Sequence, residues 1–350
     1  MHLIRRLRRL KMTEKNDLEY TKKDFTSDQE VKWCPGCGDY SILSAIQSAM
    51  TKIGRKREDV VCVSGIGCSS RFPYYLNTYG YHTIHGRATA VASGVKTANP
   101  DLSVWVITGD GDSLSIGGNH LIHSLRRNID MNIVLFNNQV YGLTKGQYSP
   151  TSVQGQVTKS TPYGSLDRPF SPAKLAFGAS ATFIARTTDT DAKHIQEVIL
   201  EAEEHRGTSF IEVYQNCVIF NDGCHSEYAD KKSRLENSIV LKHGKPMIFG
   251  DEEDKGLILD NLTLKVITLG DTYTEEDCLI HDKTNDVLAS LLVAMDANAS
   301  MPKLYGVIYA VKDVTYNQQV TDQLAEVKAK KGKGDFNKLL HSGETWEVKE

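Results

Sequence analysis

The stretch that decides the fold is residues 102–112, LSVWVITGDGD. Its first seven residues are almost all apolar or β-branched, which predicts a strand buried on both faces. The strand ends in a Gly-Asp-Gly-Asp sequence. A second apolar run, 132–136, ends in Asn137 and Asn138, and 25 residues separate Gly111 from Asn137. The sequence therefore predicts two neighbouring strands that each end in oxygen-bearing side chains.

Further short strands are predicted outward from this pair. They cover 60–64, 182–185 and 210–213, and a helix is predicted at 192–203 between the last two. Strands that alternate with helices favour an α/β fold with a doubly wound, mostly parallel sheet. Ligands of such folds bind at the carboxyl ends of the strands. The residues expected to converge there are Cys68, Asp110, Asn138 and Cys217.

Three regions are predicted along the chain. Residues 1–29 form an N-terminal extension, 30–230 the main domain, and 231–350 a C-terminal extension that is small α/β or irregular, with strands at 264–269 and 307–311. The first region starts with a basic stretch. It is interpreted as an unstructured extension or an overlong start, with a surface-binding helix as the alternative. Residues 145–172 are rich in Pro, Gly, Ser, Thr and Gln, which is typical of an active-site loop.

Charge and hydropathy exclude several classes of protein. The chain of 350 residues carries 41 Lys and Arg against 44 Asp and Glu, a formal charge of -3, which argues against a general nucleic-acid surface. No run reaches the roughly 18 apolar residues that a membrane span needs. No apolar segment follows the basic start as in a secretory signal. We expect a cytoplasmic protein that binds neither nucleic acid nor membrane.

The ends of the two central strands carry ligands that suit magnesium and a diphosphate. Asp110 offers a carboxylate, Asn138 an amide oxygen and Val140 a backbone carbonyl, the hard oxygen ligands that Mg²⁺ prefers. Glycines beside the carboxylate let backbone N–H groups approach phosphate closely. A Gly-Asp-Gly sequence also occurs in plain turns. Its spacing and its place after a buried strand favour the metal site.

Cysteine usage points to metal or redox chemistry. The seven cysteines are an odd number in a long chain without an export signal, which disfavours structural disulfides. Cys34 and Cys37 form a C-x-x-C sequence, and Cys68 and Cys217 end strands. Four thiolates fit zinc or an iron–sulfur cluster. The last two lie 31 and 180 residues beyond Cys37, which favours a cluster held by the main fold over a zinc ribbon.

The remaining three cysteines have other interpretations. Cys62 lies inside the 60–64 strand and is interpreted as a buried apolar side chain. Cys224, seven residues after Cys217, is the rival cluster ligand. Cys217 is preferred because it ends a strand. Cys278 lies in an acidic stretch, and no role is predicted for it.

Together these motifs resemble a known family. The segments WCPGCGDYSIL, SGIGCSS, IHGRATAVASGVK, TGDGDSLSIGGNH and NNQVYGLTKGQYSPTS, with the strand that ends in Cys217, are similar to the β subunit of 2-oxoacid:ferredoxin oxidoreductases. The resemblance covers residues 30 to about 230 strongly and the rest loosely. It implies a thiamine-diphosphate-dependent enzyme that decarboxylates a 2-oxoacid oxidatively to an acyl-coenzyme A and CO₂. The resemblance further implies that electrons pass through a 4Fe–4S cluster to ferredoxin.

The resemblance also implies a set of site residues. It assigns Cys34, Cys37, Cys68 and Cys217 to one 4Fe–4S cluster and Asp110, Asn138 and the Val140 carbonyl to Mg²⁺. It assigns to thiamine diphosphate Ile66, Gly67, Cys68, Ser69, His85, Gly86, Arg87, Ala88, Gly111, Asp112, Gly142 and Leu143. His85 and Lys145 are the candidate catalytic residues, with Lys145 near substrate or coenzyme A. The alternatives are a satisfied loop histidine and a solvated lysine. Arg87 either faces phosphate or caps a helix.

Thiamine diphosphate enzymes of this family hold the cofactor between two domains. Residues 231–350 are too short and irregular for the second one, since a domain typically has about 150 residues. An α subunit is therefore expected as partner, in an αβ heterodimer or a dimer of heterodimers. The 2-oxoacid is expected to be 2-oxoglutarate, with pyruvate and branched-chain 2-oxoacids open. The alternative functions are a non-redox decarboxylase or carboligase and a zinc-stabilised non-catalytic subunit.

Overall fold

The computed structural model describes residues 19–349, so the basic N-terminal stretch lies outside the described residues. The strands are β1 (Val60–Ser64), β2 (Tyr79–His82), β3 (Ser103–Gly109), β4 (Met131–Asn137), β5 (Phe183–Thr188), β6 (Thr208–Tyr214), β7 (Ser238–Val240), β8 (Ile248–Phe249), β9 (Lys255–Asp260), β10 (Thr263–Thr268) and β11 (Lys303–Ala310). The helices are α1 (Asp39–Met50), α2 (Phe72–Tyr75), α3 (Ala88–Ala98), α4 (Asp110–Leu114), α5 (Gly118–Arg126), α6 (Pro172–Gly178), α7 (Ala192–Glu204), α8 (Ser226–Ala229), α9 (Arg234–Asn237), α10 (Asp286–Met295), α11 (Tyr316–Lys331) and α12 (Phe336–Leu340). Short 3₁₀ helices cover Lys22–Phe25, Arg57–Asp59, Ser69–Arg71 and Glu275–Asp277.

Eight strands form one sheet in the order β2-β1-β3-β4-β6-β5-β11-β7. The first six run parallel to their neighbours, while β11 is antiparallel to β5. This confirms the predicted α/β class with a mostly parallel sheet. The register places Gly109 beside Phe136 and Asn137 beside Tyr214, so β3, β4 and β6 end at one edge.

Helices cover both faces of this sheet. One apolar core packs α1 and α7 against it, and the other packs α3, α5, α6 and α10. The central strands are buried on both faces, which is why their sequences are apolar without alternation. Each fully buried Leu, Ile, Val or Phe of these strands contributes about 1.5–3 kcal/mol relative to exposure. The two cores thereby fix the strand ends that carry the polar residues.

The region 231–350 contributes to the main sheet through β7 and β11. The strands predicted at 264–269 and 307–311 correspond to β10 and β11. Strands β8, β9 and β10 form a separate antiparallel sheet of three. The predicted boundary at residue 231 therefore does not coincide with a change of sheet. Among residues 19–349, no helix has the length and apolarity to cross a membrane.

Candidate functional site

A pocket opens at the carboxyl ends of β1, β3 and β4. The chain runs from β1 outward to β2 and then back past β1 to β3, so the strand order reverses between β1 and β3. Such a reversal splays the loops on its two sides and leaves a crevice for a ligand. The pocket is lined by Ile66, Gly67, Cys68, Ser69, His85, Gly109, Asp110, Gly111, Asp112, Phe136, Asn138, Val140, Tyr141, Gly142, Leu143 and Thr144.

Asp110 is the first residue of α4, directly after β3, and its side chain is buried. The hydroxyls of Ser149 and Thr151 each lie 2.5 Å from its Oδ2 and donate to it. Burial raises the pKa of Asp110 to about 6, and the two hydroxyls oppose that shift. A buried carboxylate with few donors is an environment that a divalent cation stabilises.

The other two predicted magnesium ligands line the same pocket. Asn138 donates from Nδ2 to Gln215 Oε1 at 2.8 Å, which fixes the orientation of its amide. Its Oδ1 accepts from the Val140 N–H at 3.2 Å across a turn in which Gln139 has a φ of 56°. The structure thus brings Asp110, Asn138 and Val140 together, and this donor set fits Mg²⁺ on a diphosphate.

Gly111 gives the loop after β4 its close approach to the pocket. A Cβ atom at Gly111 would lie 2.2 Å from Cε1 of Tyr141, so only a glycine leaves room for this ring. The Tyr141 hydroxyl donates to the Gly111 carbonyl at 3.0 Å. Residue-level reasoning on the sequence missed Tyr141. The only signal for it was its position inside the segment NNQVYGLT, two residues after the turn.

Asp112 connects two loops to strand β3. Its Oδ1 accepts from the backbone N–H groups of Ile66 at 3.1 Å and Gly86 at 2.8 Å, and its Oδ2 accepts from Thr108 Oγ1 at 2.8 Å. His85 Nδ1 also lies 2.8 Å from Asp112 Oδ1, but the angles do not make a hydrogen bond. Asp112 therefore fixes the two loops that form the pocket wall.

Besides Gly86 and the cysteines 34, 37 and 217, three predicted site residues lie outside the pocket lining. Arg87 precedes α3 as its N-cap residue, without a side-chain cap bond, and its guanidinium contacts His120 Nε2. Ala88 is buried in the core as the first residue of α3. Lys145 is exposed at the tip of the loop 141–147 with a φ of 79°. Their predicted roles toward cofactor and substrate stay predictions.

The sulfur atoms of Cys68 and Cys217 converge beside the pocket. A Cβ atom at Gly142 would lie 3.4 Å from Cys217 Sγ and 3.9 Å from Cys68 Sγ, so both thiols point toward the same glycine. Cys37 Sγ lies near as well and accepts from Gln215 Nε2 at 3.4 Å. The glycine leaves space that a side chain would fill, as a cradle for a cluster requires.

The cysteines at this site raise one another's pKa, because neighbouring thiolate charges repel. Burial, together with the charges of Asp39, Cys217 and Cys34, raises the pKa of Cys68 to about 12. Burial, Asp39, Cys68 and Cys217 likewise raise the pKa of Cys37. Bound iron reverses this balance, because a coordinating thiol loses its proton to the metal charge.

Within residues 19–349, no three His, Cys, Asp or Glu side chains are grouped closely enough for one metal ion. A cubane cluster spreads its thiolates, since each binds a different iron. In the structure Cys68 and Cys217 face one glycine and Cys37 lies nearby, and their use as ligands of one cluster stays a prediction.

Cys224 also lies close to the site. Its Sγ is 3.6 Å from the Asn138 carbonyl, and burial, Asp110 and Cys217 raise its pKa to about 12. Geometry alone therefore leaves Cys217 as the preferred ligand and Cys224 as its rival. Cys62 is fully buried in β1, in agreement with its interpretation as a core residue, and Cys278 is buried near the three-stranded sheet.

A buried acid beside the C-x-x-C sequence was also missed. Asp39, two residues after Cys37, is 1% exposed, and neither carboxyl oxygen has a hydrogen-bond partner. Burial and the nearby charge of Asp189 raise the pKa of Asp39 to about 7. The signal in the sequence is an acidic residue at the first position of a helix next to predicted cluster ligands.

Comparison with known proteins defines the class to which this fold and pocket belong. Residues 59–213 match the family described as "Thiamine pyrophosphate enzyme, C-terminal TPP binding domain". That range spans β1 to β6 and includes the whole pocket lining. The class defined by fold and site is thus that of thiamine pyrophosphate enzymes.

Full-length relatives are more specific. The chain is 49% identical over 331 residues to "2-oxoglutarate oxidoreductase subunit KorB" of Mycobacterium tuberculosis, with 93% of this chain and 88% of the relative covered. It is 46% identical over 223 residues to "2-oxoacid:ferredoxin oxidoreductase subunit beta" of a Sulfolobus species, covering 63% and 72%. A solved 2-oxoglutarate:ferredoxin oxidoreductase from Magnetococcus marinus superimposes with a TM-score of 0.74 at 30% identity, covering 94% of this chain and 98% of that chain. The chain belongs to the family of 2-oxoacid:ferredoxin oxidoreductase β subunits, which confirms the predicted family.

Proposed function

We propose that this chain is the catalytic β subunit of a 2-oxoglutarate:ferredoxin oxidoreductase. With an α subunit it converts the 2-oxoacid and coenzyme A to an acyl-coenzyme A and CO₂, and ferredoxin takes the electrons. The main support for the proposal is that oxygen ligands and thiols lie close together around one glycine-lined pocket. The oxygen donors Asp110 and Asn138 and the thiols Cys68 and Cys217 all border the segment 140–144.

The residues of the pocket fit a diphosphate with its metal on one side. Asp110, Asn138 and the Val140 carbonyl would hold Mg²⁺, and Gly109 and Gly111 line the same pocket. Thiamine diphosphate, when bound, supplies the carbon nucleophile and the electron sink for decarboxylation. Asp112 keeps the loops around residues 66 and 86 in place, so that the wall facing the cofactor stays fixed.

The proposal assigns the thiols beside the pocket to a cluster. Cys34, Cys37, Cys68 and Cys217 would hold a 4Fe–4S cluster, which supplies one-electron steps suited to ferredoxin. A non-redox decarboxylase or carboligase would leave these converging sulfurs without a role. A zinc-stabilised non-catalytic subunit would leave Asp110 and Asn138 without one. Both alternatives are therefore less well supported than the oxidoreductase.

An α partner and 2-oxoglutarate complete the proposal. Large apolar side chains near the pocket mouth are exposed, among them Ile84 at 72%, Ile116 at 58% and Leu143 at 52%, which is typical of a surface that a partner covers. The names of the Mycobacterium and Magnetococcus relatives support 2-oxoglutarate over pyruvate or branched-chain 2-oxoacids. The cytoplasmic location stays a prediction.

The test uses the chain alone and the chain co-expressed with its α partner, both purified anaerobically. We expect iron in both, with a visible absorbance that dithionite bleaches. Viologen reduction should require the α partner, coenzyme A and a 2-oxoacid, with 2-oxoglutarate the best of the panel. Absence of iron from both preparations would refute the redox proposal. Turnover by the isolated chain would refute the need for an α partner.

A further inference from the structure

A series of buried, hydrogen-bonded side chains leads from the middle of the sheet to the pocket. Glu212 on β6 is 1% exposed and accepts two hydrogen bonds from opposite sides. Arg186 on β5 donates from Nε to its Oε2 at 2.8 Å, and Asn137 at the end of β4 donates from Nδ2 to its Oε1 at 2.7 Å. The other edge of the Arg186 guanidinium binds Asp296, at 2.9 Å and 2.5 Å.

This series of side chains continues from Asn137 into the proposed magnesium site. The Thr151 hydroxyl lies 2.5 Å from Asp110 Oδ2 and 2.9 Å from Asn137 Oδ1, and these two acceptors share its single proton. The same Oδ1 accepts from the Gln139 N–H at 3.3 Å, at the start of the turn that presents Val140. Asn137 also directly precedes Asn138. Its side chain therefore contacts the turn that carries Asn138 and Val140 directly, and it reaches Asp110 through Thr151.

The chemistry of Glu212 decides how Asn137 is oriented. An ionised carboxylate only accepts hydrogen bonds, so the Asn137 amide must turn its nitrogen toward Glu212 and its oxygen toward Thr151. Arg186 balances the charge of Glu212 without any help from Asn137. The hydrogen bond from Asn137 to Glu212 is thus not needed for the ion pair, and it connects Glu212 to the pocket.

We propose that Glu212 is a positioning residue for the diphosphate and magnesium site, which it holds in register through Asn137. The inference rests on the proposed function and deepens it. Groups that orient metal ligands from behind typically change metal affinity or activity about 10- to 100-fold when mutated. Glu212→Gln can satisfy Arg186 or Asn137 with its single carbonyl oxygen, but not both, so we expect at least about a tenfold loss of thiamine diphosphate affinity.

The experiment is a calorimetric titration of thiamine diphosphate with Mg²⁺ into the complex of the full chain and its α partner. Asp296→Asn is the matched control, because it also removes one carboxylate from Arg186 but at the edge facing away from Glu212. We expect both variants to lower the melting temperature and only Glu212→Gln to weaken cofactor binding. Equal weakening by both, or none in either, would overturn the proposal and leave a structural ion-pair network.

Asn137→Ala tests the same link from the pocket side and keeps the Arg186–Glu212 pair. We expect it to weaken binding like Glu212→Gln, and the double variant to be no worse than either single one, since both cut one connection. Additive losses would contradict the proposed connection. If Glu212→Gln does not fold, Asn137→Ala alone decides, and unchanged affinity in it overturns the proposal. Wild-type complex that binds no thiamine diphosphate would instead refute the proposed function itself.

Discussion

The substitution Gly111→Ala tests how the pocket is closed by the loop after β4. Gly111 lies inside α4 and does not have a positive φ, so alanine can adopt the same backbone conformation. Helix propensity alone would make Gly→Ala favourable by about 1 kcal/mol. The added methyl group, however, would lie 2.2 Å from Cε1 of Tyr141. The local backbone and the tertiary contact thus predict opposite signs.

The steric term should win. Ordinary carbon contacts are about 3.5–4.0 Å, so the Tyr141 ring must retreat by more than about 1 Å. Overpacking of this kind typically costs about 1–3 kcal/mol, which exceeds the helix-propensity gain at all but the low end. The retreat also moves Val140 and Gly142, and a misplacement of about 1 Å at a catalytic site can cost about 100-fold in rate. We expect weaker thiamine diphosphate binding and a larger loss of turnover.

The assay is calorimetric titration of thiamine diphosphate with Mg²⁺, paired with viologen reduction. Gly118→Ala is the matched control, because a Cβ atom at Gly118 meets no atom within 4 Å, and it should leave both readouts unchanged. Tyr141→Ala in the Gly111→Ala background should restore part of the affinity by removing the obstructing ring. Normal binding by Gly111→Ala, or no recovery in the double variant, would refute the reasoning.

Three further predictions concern the cluster, the metal and pH. Cys217→Ser should lose iron per chain while Cys224→Ser keeps it, and the reverse result would move the ligand to Cys224. Asp110→Ala should abolish tight thiamine diphosphate binding in calorimetry with iron content unchanged, and unaltered affinity would remove Asp110 from the site. Burial lowers the pKa of His205 from 6.5 to about 4, so the unfolded chain takes up a proton first as pH falls. The His205 contribution to the free energy of unfolding should be constant above pH 6.5 and should decrease as the pH is lowered from 6.5 to about 4. His205→Gln should make this decrease shallower in urea titrations, and an unchanged slope would contradict the prediction.

The central strands were predictable because their signal is local. Residues 102–108, 132–136 and 60–64 are apolar runs, and the structure has β3, β4 and β1 within one or two residues of them. Burial on both faces leaves such a strand no room for polar residues. The convergence of Cys68, Asp110 and Asn138 followed from the rule for parallel sheets.

Other features have no local signature. The edge strand β2 has the sequence YGYH, partly exposed, and its composition does not distinguish it from a loop. Arg87 points to His120 because of how α3 packs against α5, which its neighbours in sequence do not encode. The bond from Asn137 to Glu212 joins residues 75 positions apart. Contacts of this range depend on strand order, and strand order is decided by the whole chain.

The pairing of β11 with β5 has a consequence for synthesis of the protein. β5 spans Phe183–Thr188, and its outer edge is covered by Lys303–Ala310, which is synthesised much later. Until those residues leave the ribosome, the nascent chain exposes an unpaired edge of a sheet whose faces are apolar, and such an edge promotes aggregation. Completion of the sheet thus has to wait for synthesis of β11, and premature termination before residue 303 should produce insoluble rather than partly active protein.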